Sequence, residues 1–172
     1  MAVPLSDPRF TAVPILDCGE PLVDLGEAAP LLVAAAAAGT PNVYLRTGVV
    51  DRLVIAQSLL PRELRLLILS GHLPAAGQAT DPAALACWNA RPATLPPHLT
   101  GGAVDLTLIG PGTHGPIESL DGDRHRLLSA ALRGSGLVEH PTSRWHWSYG
   151  DQYWAYMTSA ATARYGDAQA VV

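Results

Sequence analysis

Apolar residues recur along the chain in patterns that predict both helices and strands. Between Val49 and Leu60 they fall on one face of a helix, which Pro61 ends. Residues 64–70 form a continuous apolar run before Gly71 and predict a buried strand. A helix followed by a buried strand is therefore expected in the first half of the chain.

The clearest strand is predicted for residues 102–110, where the pattern has a period of two. Alternation places the side chains of Val104, Leu106 and Leu108 on one face of the strand. The side chains of Ala103, Asp105 and Thr107 lie on the other face. We expect the first face to pack into the core. The second face carries a carboxylate in the middle of a strand.

The remaining segments complete an α+β pattern. A helix is predicted for residues 121–133 and a strand through the Trp-His-Trp segment at 145–147, followed by a helix from about Gln152. A short helix is predicted at 81–90, with an aspartate cap and a proline in its first turn. Residues 1–42, rich in proline, glycine and aspartate, predict extended segments and turns.

Composition narrows the class of protein. The chain has 172 residues, 48% of them hydrophobic and 15% charged, which is typical of one globular domain, 1–172. The net charge of −4 gives no basic field for nucleic acid or an anionic membrane, so the expected partner is a small-molecule substrate. All basic residues are arginine, and the absence of lysine excludes a P-loop and Schiff-base chemistry.

Sequence features also indicate a compartment. Cys18 and Cys87 are weak evidence for a disulfide in a domain of this size. The first ten residues lack the features of a secretory signal, and the apolar run at 31–39 is too short to span a membrane. We expect a soluble cytoplasmic protein, and the bias toward arginine and alanine is typical of a bacterium with a GC-rich genome.

Two residues near the clearest strand are candidates for metal ligation. Burying the carboxylate of Asp105 between apolar neighbours costs free energy unless it is paired, hydrogen-bonded or bound to a metal. Gly101 and Gly102 would let the preceding loop fold back, so that His98 approaches Asp105. Alone, this pattern is more typical of a buried Asp–His hydrogen bond than of a metal site.

His146 strengthens the metal interpretation. Two histidines and a carboxylate with a fourth position open are a common catalytic zinc set. Trp145 and Trp147 flank His146 and would shield the site from water. The alternative is an aromatic core strand with one hydrogen-bonded histidine.

Other histidines and one short motif lack a comparable setting. His72, His114 and His140 have none, and His125 is expected on an exposed helix face. The sequence GPGTHG at 110–115 satisfies the G-x-G-x-x-G pattern, but no helix opens inside it to hold a pyrophosphate. It therefore predicts a surface loop.

The segments that carry these residues resemble the D-alanyl-D-alanine dipeptidase family of zinc peptidases, related to D,D-carboxypeptidases and the Hedgehog signalling domain. HLTGGAVD, at 98–105, is similar to the family's His-x-x-Gly-x-Ala-x-Asp motif, and WHWSYGDQYWA, from 145, is close to its last segment. The resemblance covers most of the chain. It implies a small central antiparallel sheet with helices packed on it, and a Zn²⁺ cofactor held by His98, Asp105 and His146.

Three positions depart from the family pattern. Where the family has a general-base glutamate, three residues before the last ligand, this chain has Ser143. The arginine that steadies the oxyanion falls at Leu73 and the tyrosine before it at His72. If the last strand is regular, Arg144 would share the face of His146 and could replace the lost charge; His72, Glu139 or His140 could supply a base.

Three functions follow from this mixture of kept and lost residues. The first is a repurposed zinc enzyme whose metal acts as a Lewis acid in a cyclisation, elimination or isomerisation of bacterial small-molecule biosynthesis. The second is a D-alanyl-D-alanine dipeptidase with an altered base. The third is a non-catalytic relative that binds a metal or a ligand.

Overall fold

Strands and helices alternate in an α+β fold in the computed structural model, which describes residues 8–35, 42–74, 95–110 and 122–168. The helices are α1 (Pro8–Thr11), α2 (Leu25–Ala28), α3 (Thr47–Leu59), α4 (Gly122–Gly134) and α5 (Gln152–Thr158), with a 3-10 helix at Pro97–Thr100. The strands are β1 (Leu22–Asp24), β2 (Val33–Ala34), β3 (Tyr44–Arg46), β4 (Arg65–Ser70), β5 (Ala103–Ile109), β6 (Val138–His140) and β7 (Ser143–Ser148).

The larger sheet has five strands in the order β2-β4-β5-β7-β6. Every neighbouring pair is antiparallel except β2–β4, where Val33 lies opposite Leu67 in a parallel arrangement. The expectation of an antiparallel sheet was therefore wrong at this edge, because the two-residue β2 has too few side chains to show a periodicity. A separate antiparallel pair is formed by β1 and β3.

The long periodic segments fold as their patterns predict. The helix expected from Val49 is α3, and Leu60 caps it before Pro61. The run at 64–70 is β4, and the helix expected at 121–133 is α4, which ends at Gly134. The Trp-His-Trp strand and the helix that follows it are β7 and α5.

The core lies on one face of β5, as alternation predicts. Val104, Leu106 and Leu108 have no exposed surface and belong to one apolar cluster. Side chains from β4 and from the covering helices complete this cluster, among them Leu66, Ile68, Val49, Leu53, Leu128 and Leu132. Asp105 projects from the opposite face of β5 and is also buried, so both faces of this central strand are covered.

The N-terminal segment contains two single-turn helices where only turns and extended chain were expected. In α2 the Asp24 carboxylate accepts hydrogen bonds from the backbone N–H groups of Gly26 and Glu27. Asp24 followed by Glu27 has the spacing of a capping box, which the prediction overlooked. The helix predicted at 81–90, Cys87, His114 and the loop after Gly110 lie outside the described residues.

Within the described ranges, no helix is both long and apolar enough to cross a membrane.

Candidate metal centre

Asp105 and His146 face each other across two antiparallel strands. The register of β5 and β7 pairs these two residues directly. Nδ1 of His146 lies 2.8 Å from Oδ1 of Asp105, and the side chains are 1% and 4% exposed. The sheet itself therefore brings together two candidate ligands that are distant in sequence.

His98 reaches the same carboxylate from the 3-10 helix before β5. Its Nε2 lies 3.5 Å from Oδ1 of Asp105, so the predicted approach of His98 to Asp105 is confirmed. The chain turns between them at Gly101, which has a φ of +67° in the left-handed region that favours glycine. At Gly102 a Cβ atom would lie 2.6 Å from the backbone oxygen of Tyr149, so a side chain there would collide with the strand end.

These three side chains fit a divalent metal. One donor atom from each of His98, Asp105 and His146 can be chosen so that all lie within 4.8 Å of one another. Zinc accepts imidazole nitrogen and carboxylate oxygen, and a catalytic site uses three such protein ligands. Nδ1 of His98 lies 2.7 Å from the carbonyl oxygen of Gly71; as an N–H donor there, it leaves Nε2 as the ligand atom.

The electrostatics of the carboxylate agree with this arrangement. Burial by itself would raise the pKa of Asp105, but hydrogen bonds from His146 and His98 and the charges on these rings hold it well below its usual range. Asp105 is therefore an anion at neutral pH, as a metal ligand must be.

Strand β7 is irregular at its N-terminal half. Glu139 of β6 lies opposite Trp147, whereas the next residue, His140, lies opposite Ser143. One step along β6 therefore corresponds to four along β7, which is a bulge. Because the strand is not regular, Ser143 is buried and Arg144 is exposed, so the condition for Arg144 to share the face of His146 is not met.

The segment after β4 lies against the loop of His98. The backbone N–H of Leu73 donates to the carbonyl of His98 at 3.2 Å, and that of His72 to Tyr44. Both side chains are partly buried. Burial lowers the pKa of His72, more than nearby Asp167 and the backbone raise it. Two of the three positions that depart from the family pattern therefore lie in the segment beside a candidate ligand.

The two tryptophans next to His146 do not form the predicted wall. Trp147 pairs with Val104 and is fully buried in the apolar cluster, on the face of the sheet opposite to His146. Trp145 is 40% exposed on the bulge. The prediction failed for Trp147 because alternation along the strand sends neighbours of His146 to the other face.

His140 and His125 have settings that the sequence did not indicate. The ring of His140 is buried and lies edge-on to the ring of His146, with centroids 5.7 Å apart. Burial lowers the pKa of His140 to about 4, with a further contribution from the nearby His146. His125 was expected to be solvated, which is wrong: its Nε2 lies 3.0 Å from Oε1 of Glu139.

Asp151 is a further buried residue that sequence analysis missed. It precedes α5 and is 2% exposed, and its carboxylate accepts a hydrogen bond from the N–H of Trp154 at 2.7 Å. Its signal in the sequence is that of an ordinary helix cap, since aspartate is common there. Burial raises the pKa of its carboxyl, which no local sequence pattern indicates.

Two known proteins are similar to this chain. A D-alanyl-D-alanine dipeptidase from Synechocystis sp. is 28% identical over an alignment of 219 positions, gaps included, which covers 86% of this chain and 89% of that protein. A crystal structure of the vancomycin resistance D,D-dipeptidase VanXYg, with a D-Ala-D-Ala phosphinate analogue, is 18% identical with a TM-score of 0.45. That match covers 88% of this chain and 69% of the other. No protein-family model matches the chain.

The alignment to the Synechocystis protein extends over most of both chains, and the motif residues of this chain converge on one buried donor set. On these grounds the chain is similar to the D-alanyl-D-alanine dipeptidase family over most of its length.

Proposed function

We propose that the protein is a zinc-dependent enzyme of this family that has been repurposed for a step other than dipeptide hydrolysis. The observation that carries the proposal is a contrast within one site. His98, Asp105 and His146 converge as a metal donor set, while the positions for the base and the oxyanion partner hold Ser143 and Leu73. Loss of function by drift would hardly spare all three donors.

The missing groups argue against efficient hydrolysis. A serine hydroxyl does not take up a proton near neutral pH, and a leucine does not donate a hydrogen bond to an oxyanion. General acid–base help contributes roughly 100- to 10,000-fold and an oxyanion donor roughly 100- to 1,000-fold. Arg144 does not compensate, since its side chain is exposed on the bulge.

The remaining residues suit a different reaction. Bound zinc would supply Lewis acidity to a carbonyl, enolate or carboxylate oxygen. The three buried donors orient that oxygen, and Leu73, whose backbone N–H binds the carbonyl of His98, offers apolar surface beside them. We therefore infer a small carbonyl or amino-acid-derived substrate, converted by cyclisation, elimination or isomerisation.

A second candidate function is a dipeptidase with a different base. It is favoured by His140, whose buried ring contacts the ring of His146, and whose Nε2 has no hydrogen-bond partner within the described residues. An imidazole in that place is a general base of the kind that Ser143 does not provide.

One experiment distinguishes the two functions. The purified protein is supplied with one equivalent of Zn²⁺ and D-alanyl-D-alanine, and released D-alanine is measured. In parallel, tryptophan fluorescence follows titration with the dipeptide and with 4-phenyl-2-butanone, a ketone with an apolar tail. We expect no release above the His146→Ala variant, and tighter binding of the ketone.

Turnover of the dipeptide that disappears in His140→Ala would establish the second function instead. Absence of both turnover and ketone binding would contradict the first.

A further inference from the structure

His98 is the member of the donor set that lies outside the sheet. The pairing of β5 with β7 fixes Asp105 opposite His146, whereas His98 lies in the 3-10 helix that ends at the Gly101 turn. Nε2 of His98 is 3.5 Å from Oδ1 of Asp105. Whether the three donors meet therefore depends on what holds this loop in place.

Two consecutive carbonyl groups of the loop bind one residue of β3. Arg46 donates its Nε–H to the carbonyl oxygen of Thr100 at 2.9 Å, and its backbone N–H to that of Gly101 at 3.0 Å. A Cβ atom at Gly101 would collide with Cδ2 of Leu22 in β1 and would lie 3.4 Å from Cγ of Arg46. The turn that follows His98 is therefore in direct contact with the β1–β3 pair.

The guanidinium of Arg46 divides its donors between this loop and two other segments. Its Nη atoms bind the carbonyl oxygen of Glu20, the carboxylate of Asp17 at 2.9 Å and the carbonyl oxygen of Gly166 at 3.3 Å. Arg46 is only 6% exposed, and a buried charge is costly unless it is paired and hydrogen-bonded. Asp17 supplies the opposite charge, while Nε is directed at the loop of His98. The ion pair and the bond to the loop can therefore be removed separately.

We propose that Arg46 is a positioning residue of the metal centre, whose Nε–H holds the loop of His98 in the conformation that brings its ring to Asp105. This inference rests on the proposed metal-dependent function. A loop that is ordered before binding spares the metal site the conformational entropy of ordering it. Hydrogen bonds from a charged donor are among the stronger ones in proteins. Loss of this bond should therefore weaken metal binding even where the fold persists.

The Arg46→Lys variant tests the bond from Nε. Lysine keeps a cation for Asp17 but has a methylene group where arginine has Nε, so the bond to Thr100 is lost. Zinc affinity is measured by competition with a chromophoric chelator, and thermal unfolding in EDTA checks that the metal-free variant is folded at the assay temperature. We expect roughly 10-fold weaker zinc binding, the lower end of the range for groups that support a metal ligand.

Asp17→Asn is the matched control, because it removes the charge that pairs with Arg46 and leaves the Nε–H on the loop. It should lower the unfolding midpoint in EDTA and bind zinc like the wild type. Wild-type affinity in Arg46→Lys, or an equal loss of affinity in Asp17→Asn, would overturn the positioning role. Failure of the wild type itself to bind zinc would instead remove the metal-dependent function on which the inference rests.

A second measurement needs no variant at position 46. If the Nε–H bond and the metal favour the same loop conformation, each stabilises the other by the same factor. Exchange of the Arg46 Nε–H with solvent, followed by ¹H–¹⁵N spectra of the wild type, should therefore slow roughly 10-fold when zinc is added. The side-chain amide of Gln57, which donates to the carbonyl of Leu64, is the internal control and should exchange at an unchanged rate. Equal exchange at Arg46 with and without zinc, or equal slowing at Gln57, would contradict the proposal.

Discussion

Asp105 and His146 are 41 residues apart in sequence, and the pairing of β5 with β7 holds Nδ1 of His146 2.8 Å from Oδ1 of Asp105. Neither side chain depends on a loop for its position. The third candidate ligand, His98, does depend on one, and its loop turns at Gly101. The donor set is thus fixed by the sheet on two sides and by a glycine turn on the third.

The first prediction concerns metal content. After dialysis against trace Zn²⁺, we expect about one equivalent of metal in the wild type, since three protein ligands with one open position are the usual catalytic set. His146→Ala should retain almost none when metal is measured by mass spectrometry. His125→Ala is the control, because His125 pairs with Glu139 rather than with the donor set. Undiminished metal in His146→Ala would remove His146 from the site.

The second prediction restores the missing groups. Ser143→Glu combined with Leu73→Arg should give detectable cleavage of D-alanyl-D-alanine, while each change alone gives little, because groups that act as a unit are not additive. Position 143 is buried, whereas the neighbouring Arg144 is exposed. Arg144→Glu with Leu73→Arg is therefore the matched control and should remain inactive; equal activity in that pair would show that position 143 has no special access to the substrate.

The third prediction compares two tryptophans that are two residues apart. Trp147→Ala should lower the free energy of unfolding by about 3–5 kcal/mol, because Trp147 is fully buried in the core cluster. Trp145→Ala should change it by no more than about 0.5 kcal/mol, because its ring is partly exposed and lies outside that cluster. Urea denaturation in EDTA measures both. Similar losses in the two variants would contradict the assignment of Trp147 to the core face.

The fourth prediction concerns stability in acid. Burial by itself would raise the pKa of Glu20, but the Tyr165 hydroxyl, the backbone N–H of Gly48 and the charge of Arg164 together hold it below its usual value of 4.5. A depressed carboxyl pKa stabilises the fold above the unfolded-state pKa, and this stabilisation is lost as the pH falls through the folded-state value.

The difference in unfolding free energy between wild type and Glu20→Gln should therefore shrink as the pH is lowered from 6 to about 3, in urea titrations. Tyr165→Phe removes the hydroxyl donor that lies 2.6 Å from Oε2 of Glu20. The unfolding free energy of this variant should therefore depend less on pH over this range than that of the wild type. A constant difference between wild type and Glu20→Gln across this range would show that the Glu20 contacts do not favour its charged form.

Much of the fold was accessible from periodicity, because long elements bury one face. The helix from Val49 and the strand containing Asp105 each repeat an apolar pattern over enough residues to identify both the element and its buried side. The short elements were not accessible: β2 has two residues, and its parallel pairing with β4 depends on tertiary packing alone.

The candidate site was partly accessible for a similar reason. Gly101 and Gly102 correctly predicted that His98 approaches Asp105, since glycine permits the turn that this approach needs. The ring contact of His140 with His146 depends on the bulge in β7, and the burial of Asp151 depends on how α5 packs; neither has a local sequence signal. The roles of the three donors as zinc ligands and of Ser143, Leu73, Arg144 and His72 in catalysis stay predictions.

The bulge in β7 limits how this site can be transplanted. On a straight strand, positions 143 and 146 would project to opposite faces, because they are separated by an odd number of residues. Here both are buried, because consecutive residues of β6 pair with Trp147 and Ser143, which are four positions apart along β7. A designer who grafts the segment 143–148 onto a regular sheet would therefore keep the ligand and lose its neighbour, unless the short β6 and its shifted register are copied with it.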